Sequence, residues 1–175
     1  MINKEKPNFN SKVVGTILTN SGLESSLNDQ NIQLYRSDVG DKNVVDMMKK
    51  TGSIIGGETS GHIINSEYSP TGDGLLTALL ILKDMVEHNR KTHDLLSGLS
   101  LLNQFNESIK IDGRDISQML IHEINNKASE MLEQGRVIIR MSGTEPIIRV
   151  TIESNNQDHF KNIFNYITAE INSNG

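Results

Sequence analysis

Short β-branched runs alternate with helix-length segments through the first half of this chain, and that alternation restricts the fold more than anything else in it. Val13 to Leu18 reads as a buried strand. Asn20, Ser21 and Gly22 break it, and Asn20 or Ser21 can cap a helix from Leu23 to Asp29. Ile32 to Arg36 is the next strand. Asp41 can cap a helix from Lys42 to Lys50, with Val44, Val45 and Met48 on its apolar side, and Thr51-Gly52 stops it. Ser53 to Gly56 is a very short strand, and Ile63-Ile64 continues as another. The strongest helix runs from about Leu75 to His88, with Asp73 at its positive end. Strand–helix alternation of this kind predicts an α/β unit with a mixed or mostly parallel sheet.

The pattern changes near Leu101 to Gln104, after a helical or irregular stretch from Lys91. Phe105 to Ile111 alternates like a strand, and Asp112-Gly113 is a turn signal. Ile116 to Leu132 is an amphipathic helix, Arg136 to Arg140 and Ile147 to Glu153 are strands, and His159 to Ile171 is a closing helix. This β-α-β-β-α order predicts a small α+β domain with its helices on one face of an antiparallel sheet. The expected organisation is a polar segment over 1–12, an α/β domain over 13–102 and an α+β domain over 103–175.

Composition narrows the partners. The net charge is −5, so no general positive field draws in nucleic acid or an anionic membrane, and any anion must be caught locally. The absence of cysteine removes disulfides and thiolate metal sites. Met1 to Ser11 has no apolar core of signal-peptide length, and Leu75 to Leu82 is too short to span a bilayer. A cytoplasmic location is the default expectation.

Two loops could carry chemistry. Arg140-Met141-Ser142-Gly143-Thr144-Glu145-Pro146, with Arg149 beyond, sets two arginines, two hydroxyls and a glycine between two strands. Ser142, Gly143 and Thr144 could turn backbone N–H groups inward as an anion nest, Gly143 being free to take positive φ. The Arg140 and Arg149 forks match phosphate oxygens. A strand-to-strand setting excludes Walker and Rossmann loops, which run from strand into helix. An exposed hairpin turn with incidental arginines is the competing reading.

The other loop is Gly56-Gly57-Glu58-Thr59-Ser60-Gly61-His62. Its glycines let a ligand approach the backbone closely. Glu58 accepts hydrogen bonds, and Thr59 and Ser60 donate and accept, a set that suits a polyol. His62 titrates near neutrality and could move a proton; a tight turn with a lone surface histidine fits equally well. Thr71-Gly72-Asp73-Gly74 has one carboxylate, too few for a hard cation, and reads as a helix cap, as does Asp38-Val39-Gly40-Asp41 as a turn and cap.

Arg140 through Val150 resembles the phosphate-binding loop of the α-D-phosphohexomutases, and Gly57 through His62 resembles their sugar-binding loop. Val14-Gly15-Thr16, Asn20, Gly22-Leu23-Glu24, Val39-Gly40-Asp41 and Thr71-Gly72-Asp73-Gly74 fall in the family's order. The last of these points to the bacterial phosphoglucosamine mutase branch. The resemblance covers the chain from about Val13 onward and matches most of the family's third domain and all of its fourth. It departs at Lys42-Asn43, where the family has Arg-Tyr, at Asn103 for Pro, and at Ser108 for Asn.

The resemblance implies an intramolecular phosphotransferase, an isomerase of glucosamine 6-phosphate and glucosamine 1-phosphate through the 1,6-bisphosphate. That reaction leads to UDP-N-acetylglucosamine and peptidoglycan precursors. Glu58, Thr59, Ser60 and Gly61 would hold sugar hydroxyls, and His62 would sit near the reacting hydroxyl. Arg140, Ser142, Gly143, Thr144 and Arg149 would clamp the phosphate that is not reacting. The family's phosphoserine and its magnesium loop lie in its first two domains. The expectation is therefore a chain that binds a hexosamine phosphate, holds no cofactor itself, and is inactive alone or works with a separate N-terminal chain. A fragment of another phosphohexomutase (phosphomannomutase or phosphoglucomutase) and a stand-alone phosphosugar-binding module are the alternatives.

Overall fold

A computed structural model describes residues 10–111 and 113–174. Most of the polar segment 1–12, and Asp112 of the expected Asp112-Gly113 turn, lie outside them. The chain divides between Ser100 and Leu101 into two compact units.

The first unit holds a four-stranded sheet in the order β2-β1-β3-β4. Its strands are β1 (Lys12–Thr16), β2 (Gln33–Ser37), β3 (Ile55–Gly57) and β4 (Ile63–Asn65). β1 runs parallel to β2 and β3, and β4 returns antiparallel to β3, so the sheet is mixed. Successive β1 side chains feed opposite faces. Val13 joins Leu27 and Ile32 on the side of α1 (Ser21–Asn28). Val14 joins Val44, Met48 and Ile64 on the side of α2 (Asp41–Thr51).

Helix ends follow local chemistry. The Asn20 side chain caps α1 by accepting from the Gly22 N–H at 2.8 Å. Asp73 caps α3 (Gly74–Glu87) by accepting from the Leu76 N–H at 2.9 Å. α2 departs from expectation: its N-cap is Gly40, at φ 117°, without a side-chain cap bond. Asp41 sits inside the first turn, where its carboxylate accepts from the Lys42 N–H.

α3 is apolar along most of its length, yet none of its residues is buried. Leu75, Leu79, Leu82 and Val86 form an exposed stripe at helical spacing. Its other side borders a cavity of about 500 Å³, shared with Leu23 and Leu27 of α1 and Ile55 of β3. The stretch expected to be helical or irregular from Lys91 contains a 3₁₀ helix over Thr92–Leu96.

The second unit is a three-stranded antiparallel sheet, β5 (Gln104–Lys110), β6 (Arg136–Met141) and β7 (Ile147–Glu153), with β7 in the centre. Alternation sorts its faces. Ile148, Val150 and Ile152 point into one core with Val137, Ile139 and Ile109. α4 (Gln118–Glu130) adds Ile121, Ile124 and Ala128 to that core, and α5 (Gln157–Asn174) adds Ile163, Ile167 and Ile171, each a single stripe at helical spacing. Phe105 stacks on Phe160 and meets Phe164 edge-on. Each fully buried Ile or Val contributes about 1.5–3 kcal/mol, so this core is much the stronger of the two.

The opposite sheet face is polar. Arg136 Nε donates to Glu153 at 2.9 Å and Gln104 Nε2 donates to the same carboxylate at 2.7 Å. Glu153 is fully buried, and these contacts supply the partners that a buried carboxylate requires. Thr151 donates to Asn106 at 2.7 Å in the next row. Gly135, at φ 111°, lies against the Glu153 carbonyl, where a Cβ would overlap the backbone.

Candidate functional site

In the first unit, residues 58–62 join β3 to β4 as a tight hairpin. The Glu58 N–H donates to the His62 carbonyl at 2.9 Å and the Gly61 N–H to the Glu58 carbonyl at 3.1 Å. Gly61 is at φ 96°, a conformation that L side chains rarely adopt, so glycine is required there. Thr59, Ser60 and Gly61 are exposed at the tip.

The chemistry of this loop converges on His62. Ser60 Oγ lies 3.0 Å from His62 Nδ1, and Glu58 Oε1 lies 3.8 Å from the same nitrogen. Glu58 is the recessed member, its side chain only 9% exposed against 59% for His62. Its other oxygen, Oε2, accepts from the Gly40 N–H at 3.0 Å, so the N-terminus of α2 holds this side chain. Gly72, from the turn that starts α3, faces His62: a Cβ there would lie 3.5 Å from the ring's Cδ2. The cluster sets a fixed carboxylate, a hydroxyl and an imidazole ring side by side, a set that could hydrogen-bond a ligand bearing hydroxyls.

In the second unit, Arg140 on β6 and Arg149 on β7 are directly opposed across the ladder. Cross-strand neighbours lie about 4.5–5.5 Å apart at Cβ, and like charges placed so repel. Arg149 Nη2 donates to Glu145 at 3.1 Å, an exposed pair worth about 0–1 kcal/mol. Arg149 Nε is buried and has no hydrogen-bond partner among the described residues. Burial, and next the charge of Arg149, pull the Arg140 guanidinium below its usual pKa. An anion placed between the two guanidinium groups would relieve this repulsion.

The loop between these strands is not the nest expected from its sequence. Gly143 does not take positive φ. The Ser142 N–H donates to the Ile147 carbonyl at 2.9 Å and so extends the ladder. The Thr144 N–H points to Ser142 Oγ at 3.5 Å. Hydroxyls and guanidinium groups, rather than a ring of backbone donors, are what this loop presents.

The structure thus groups Glu58, Ser60 and His62 in one loop and pairs Arg140 with Arg149 in the other unit. One link was not readable in the sequence: Gly40 stood there as part of a turn and of the Val39-Gly40-Asp41 match, but its contact with Glu58 spans 18 positions. Ser108, where the family has Asn, is paired with Arg149 in the β5–β7 register. Among the described residues, no three His, Cys, Asp or Glu side chains come together to hold a metal ion. No described helix is long and apolar enough to cross a membrane.

Two family models match. One described as phosphoglucomutase/phosphomannomutase, alpha/beta/alpha domain III, covers residues 1–101, and one described as phosphoglucomutase/phosphomannomutase, C-terminal domain, covers residues 89–170. The phosphoglucosamine mutase of Dictyoglomus turgidum is 40% identical over 164 residues, 93% of this chain and 36% of that protein. The phosphoglucosamine mutase of Acinetobacter baumannii is 35% identical over 178 residues, 97% of this chain and 38% of that protein. The chain therefore spans little more than a third of the length of these relatives. Among solved structures, Aspergillus fumigatus N-acetylphosphoglucosamine mutase in complex with GlcNAc-6P and magnesium is similar at a TM-score of 0.73 and 16% identity, over 91% of this chain and 41% of that one. An N-acetylglucosamine-phosphate mutase of the α-D-phosphohexomutase superfamily, in its substrate complex, gives 0.70 and 18%, over 90% and 38%. At such identities the structural likeness speaks for the fold.

Proposed function

The chain belongs to the phosphoglucomutase/phosphomannomutase family of phosphohexomutases, and from that premise we propose that it supplies the sugar and phosphate recognition of a phosphoglucosamine mutase. The reaction is the interconversion of glucosamine 6-phosphate and glucosamine 1-phosphate. Relatives named phosphoglucosamine mutase, at 35–40% identity, favour this branch over phosphomannomutase and phosphoglucomutase. Phosphorylated sugars do not cross membranes unaided, so this reading puts the chain in the cytoplasm.

The observation that carries the reading is the opposed pair Arg140 and Arg149, two like charges directly across the ladder. A phosphate dianion can accept from both forks, each charge-assisted contact contributing about 1.5–3 kcal/mol. Ser142 and Thr144 add neutral donors at the loop. By the family resemblance, this loop would hold the phosphate that does not react. Glu58 and Ser60 accept and donate to sugar hydroxyls, which selects the orientation of the ring. His62, with Nδ1 beside Ser60, is placed to exchange a proton with a reacting hydroxyl. In this family magnesium would assist the transfer of the phosphoryl group, but the described residues hold no cluster of acidic side chains that fits such an ion.

Calorimetry with glucosamine 6-phosphate tests the reading. Wild-type chain is expected to bind, and Arg140→Ala and Arg149→Ala are each expected to weaken binding about 10- to 100-fold. Absence of binding, or unchanged affinity in both variants, would overturn it. Turnover of glucosamine 6-phosphate by the purified chain, with magnesium and a bisphosphate primer, would show that it does more than recognise.

A further inference from the structure

We infer that Gly40 is a positioning residue for sugar recognition, acting through Glu58; the inference rests on the reading of the Glu58 loop as the sugar site. A glutamate at a hairpin has three side-chain torsions and, in the open, would sample many orientations. Glu58 is recessed, and one of its two oxygens is already engaged: Oε2 accepts from the Gly40 N–H at 3.0 Å. The tether leaves Oε1 as the free acceptor, turned toward His62 Nδ1 at 3.8 Å. One backbone donor thus decides which oxygen reads the ligand and where it stands.

The local structure of α2 supports the same assignment. The first N–H groups of a helix lack partners within it, and a capping side chain usually supplies one. The Gly40 cap supplies none, and the Glu58 carboxylate satisfies a different orphan, the N–H of the cap residue itself, as an N3 glutamate does in a capping box. Gly40 is also at φ 117°, ψ 135°, a backbone conformation open in practice to glycine alone. Any other residue must rotate the peptide and turn the N–H away from Glu58. The room is not the obstacle: a Cβ on Gly40 would meet nothing closer than 3.5 Å, at Asn43 Nδ2. What glycine contributes is the direction of its N–H. The short turn before α2 and the Glu58 hairpin therefore act as one recognition element.

The test compares glucosamine 6-phosphate with inorganic phosphate as ligands of the 175-residue chain. Gly40→Ala is expected to weaken glucosamine 6-phosphate binding about tenfold and to leave inorganic phosphate unchanged. In a Glu58→Ala background the same Gly40→Ala change is expected to cost nothing further, since the partner through which it acts is gone. Glu58→Asp, one methylene short of spanning tether and ligand, is expected to lose as much as Glu58→Ala. Amide exchange reads the tether without any ligand: in Glu58→Ala the Gly40 N–H is expected to exchange at least tenfold faster, while β1 amides keep their rates. An unchanged Gly40 exchange rate overturns the inference even if Gly40→Ala does not fold. A Gly40→Ala penalty that persists in the Glu58→Ala background also overturns it. Equal wild-type affinity for the two ligands removes the sugar reading beneath it, an outcome distinct from the other two.

Discussion

At the scale of residues, the ligand role proposed for Arg140 and the stability of the fold pull in opposite directions. The folded chain holds the Arg140 proton less firmly than the unfolded chain does, because burial and Arg149 both disfavour the charge. At neutral pH the charged side chain therefore costs stability. Arg140 makes no ion pair among the described residues, so replacing it removes repulsion without orphaning a partner. Arg140→Met is expected to raise the melting temperature of the second unit in the ligand-free chain by about 1–5 °C, from a cross-strand gain of up to about 1 kcal/mol. Added phosphate should stabilise the wild type and leave the variant unmoved; thermal scans with and without phosphate check both. A lower melting temperature for the variant would mean that the arginine supports the fold. That the two arginines flank one strand-to-strand loop was legible in the sequence. The backbone around them was not. Gly143 is free to take positive φ, but the Ser142 N–H is drawn into the ladder by the Ile147 carbonyl, and a propensity cannot anticipate that competition.

At the scale of elements, caps were readable and entries less so. Asn20 and Asp73 sit where their side chains reach a helix N–H, as their positions suggested. α4 was expected to start at Ile116, but it begins at Gln118 behind a Ser117 cap. Ile116 belongs to the same buried core as Ile121, five positions on, which is the spacing of a hydrophobic staple across a cap. Its apolar character looked helical because it serves the helix from just outside. α3 presents the converse case: its pattern was the strongest in the chain, yet the packing that such a pattern leads one to expect is missing. Leu75 at 73% and Val86 at 82% exposure make a contiguous apolar stripe with Leu79 and Leu82. Patches of this kind drive association. The purified chain is expected to self-associate with rising concentration, and Leu79→Glu with Leu82→Glu to reduce that association, as sedimentation velocity would show. A wild type that stays monomeric across the concentration range would contradict this.

At the scale of the whole chain, the two units differ in how completely they bury their apolar residues. The second gathers fourteen buried residues in one cluster. The first divides its core into clusters of four and three on opposite sheet faces. Two melting transitions are therefore expected by calorimetry, the first unit unfolding at the lower temperature. Ile167→Ala, at a fully buried position, should lower only the upper transition, by about 2–5 kcal/mol of that unit's stability. A single transition shifted by that change would mean that the units unfold together. The change of pattern near residue 101 was legible because strand–helix alternation gives way to a β-α-β-β-α order. The partners of the ligand residues were not, because contacts such as Gly40 with Glu58 join segments far apart in sequence.

The central position of β7 gives its polar side chains a second consequence. Ile148, Val150 and Ile152 alternate with Arg149, Thr151 and Glu153. A slip of one residue against either neighbour would exchange these two sets. It would drive a guanidinium and a carboxylate into the isoleucine core and put three aliphatic side chains where the polar rows now meet. The side chains proposed here as ligand binders, and their buried supports, thus also disfavour a slipped register: the charges proposed to receive the phosphate are the ones that a wrong pairing would bury.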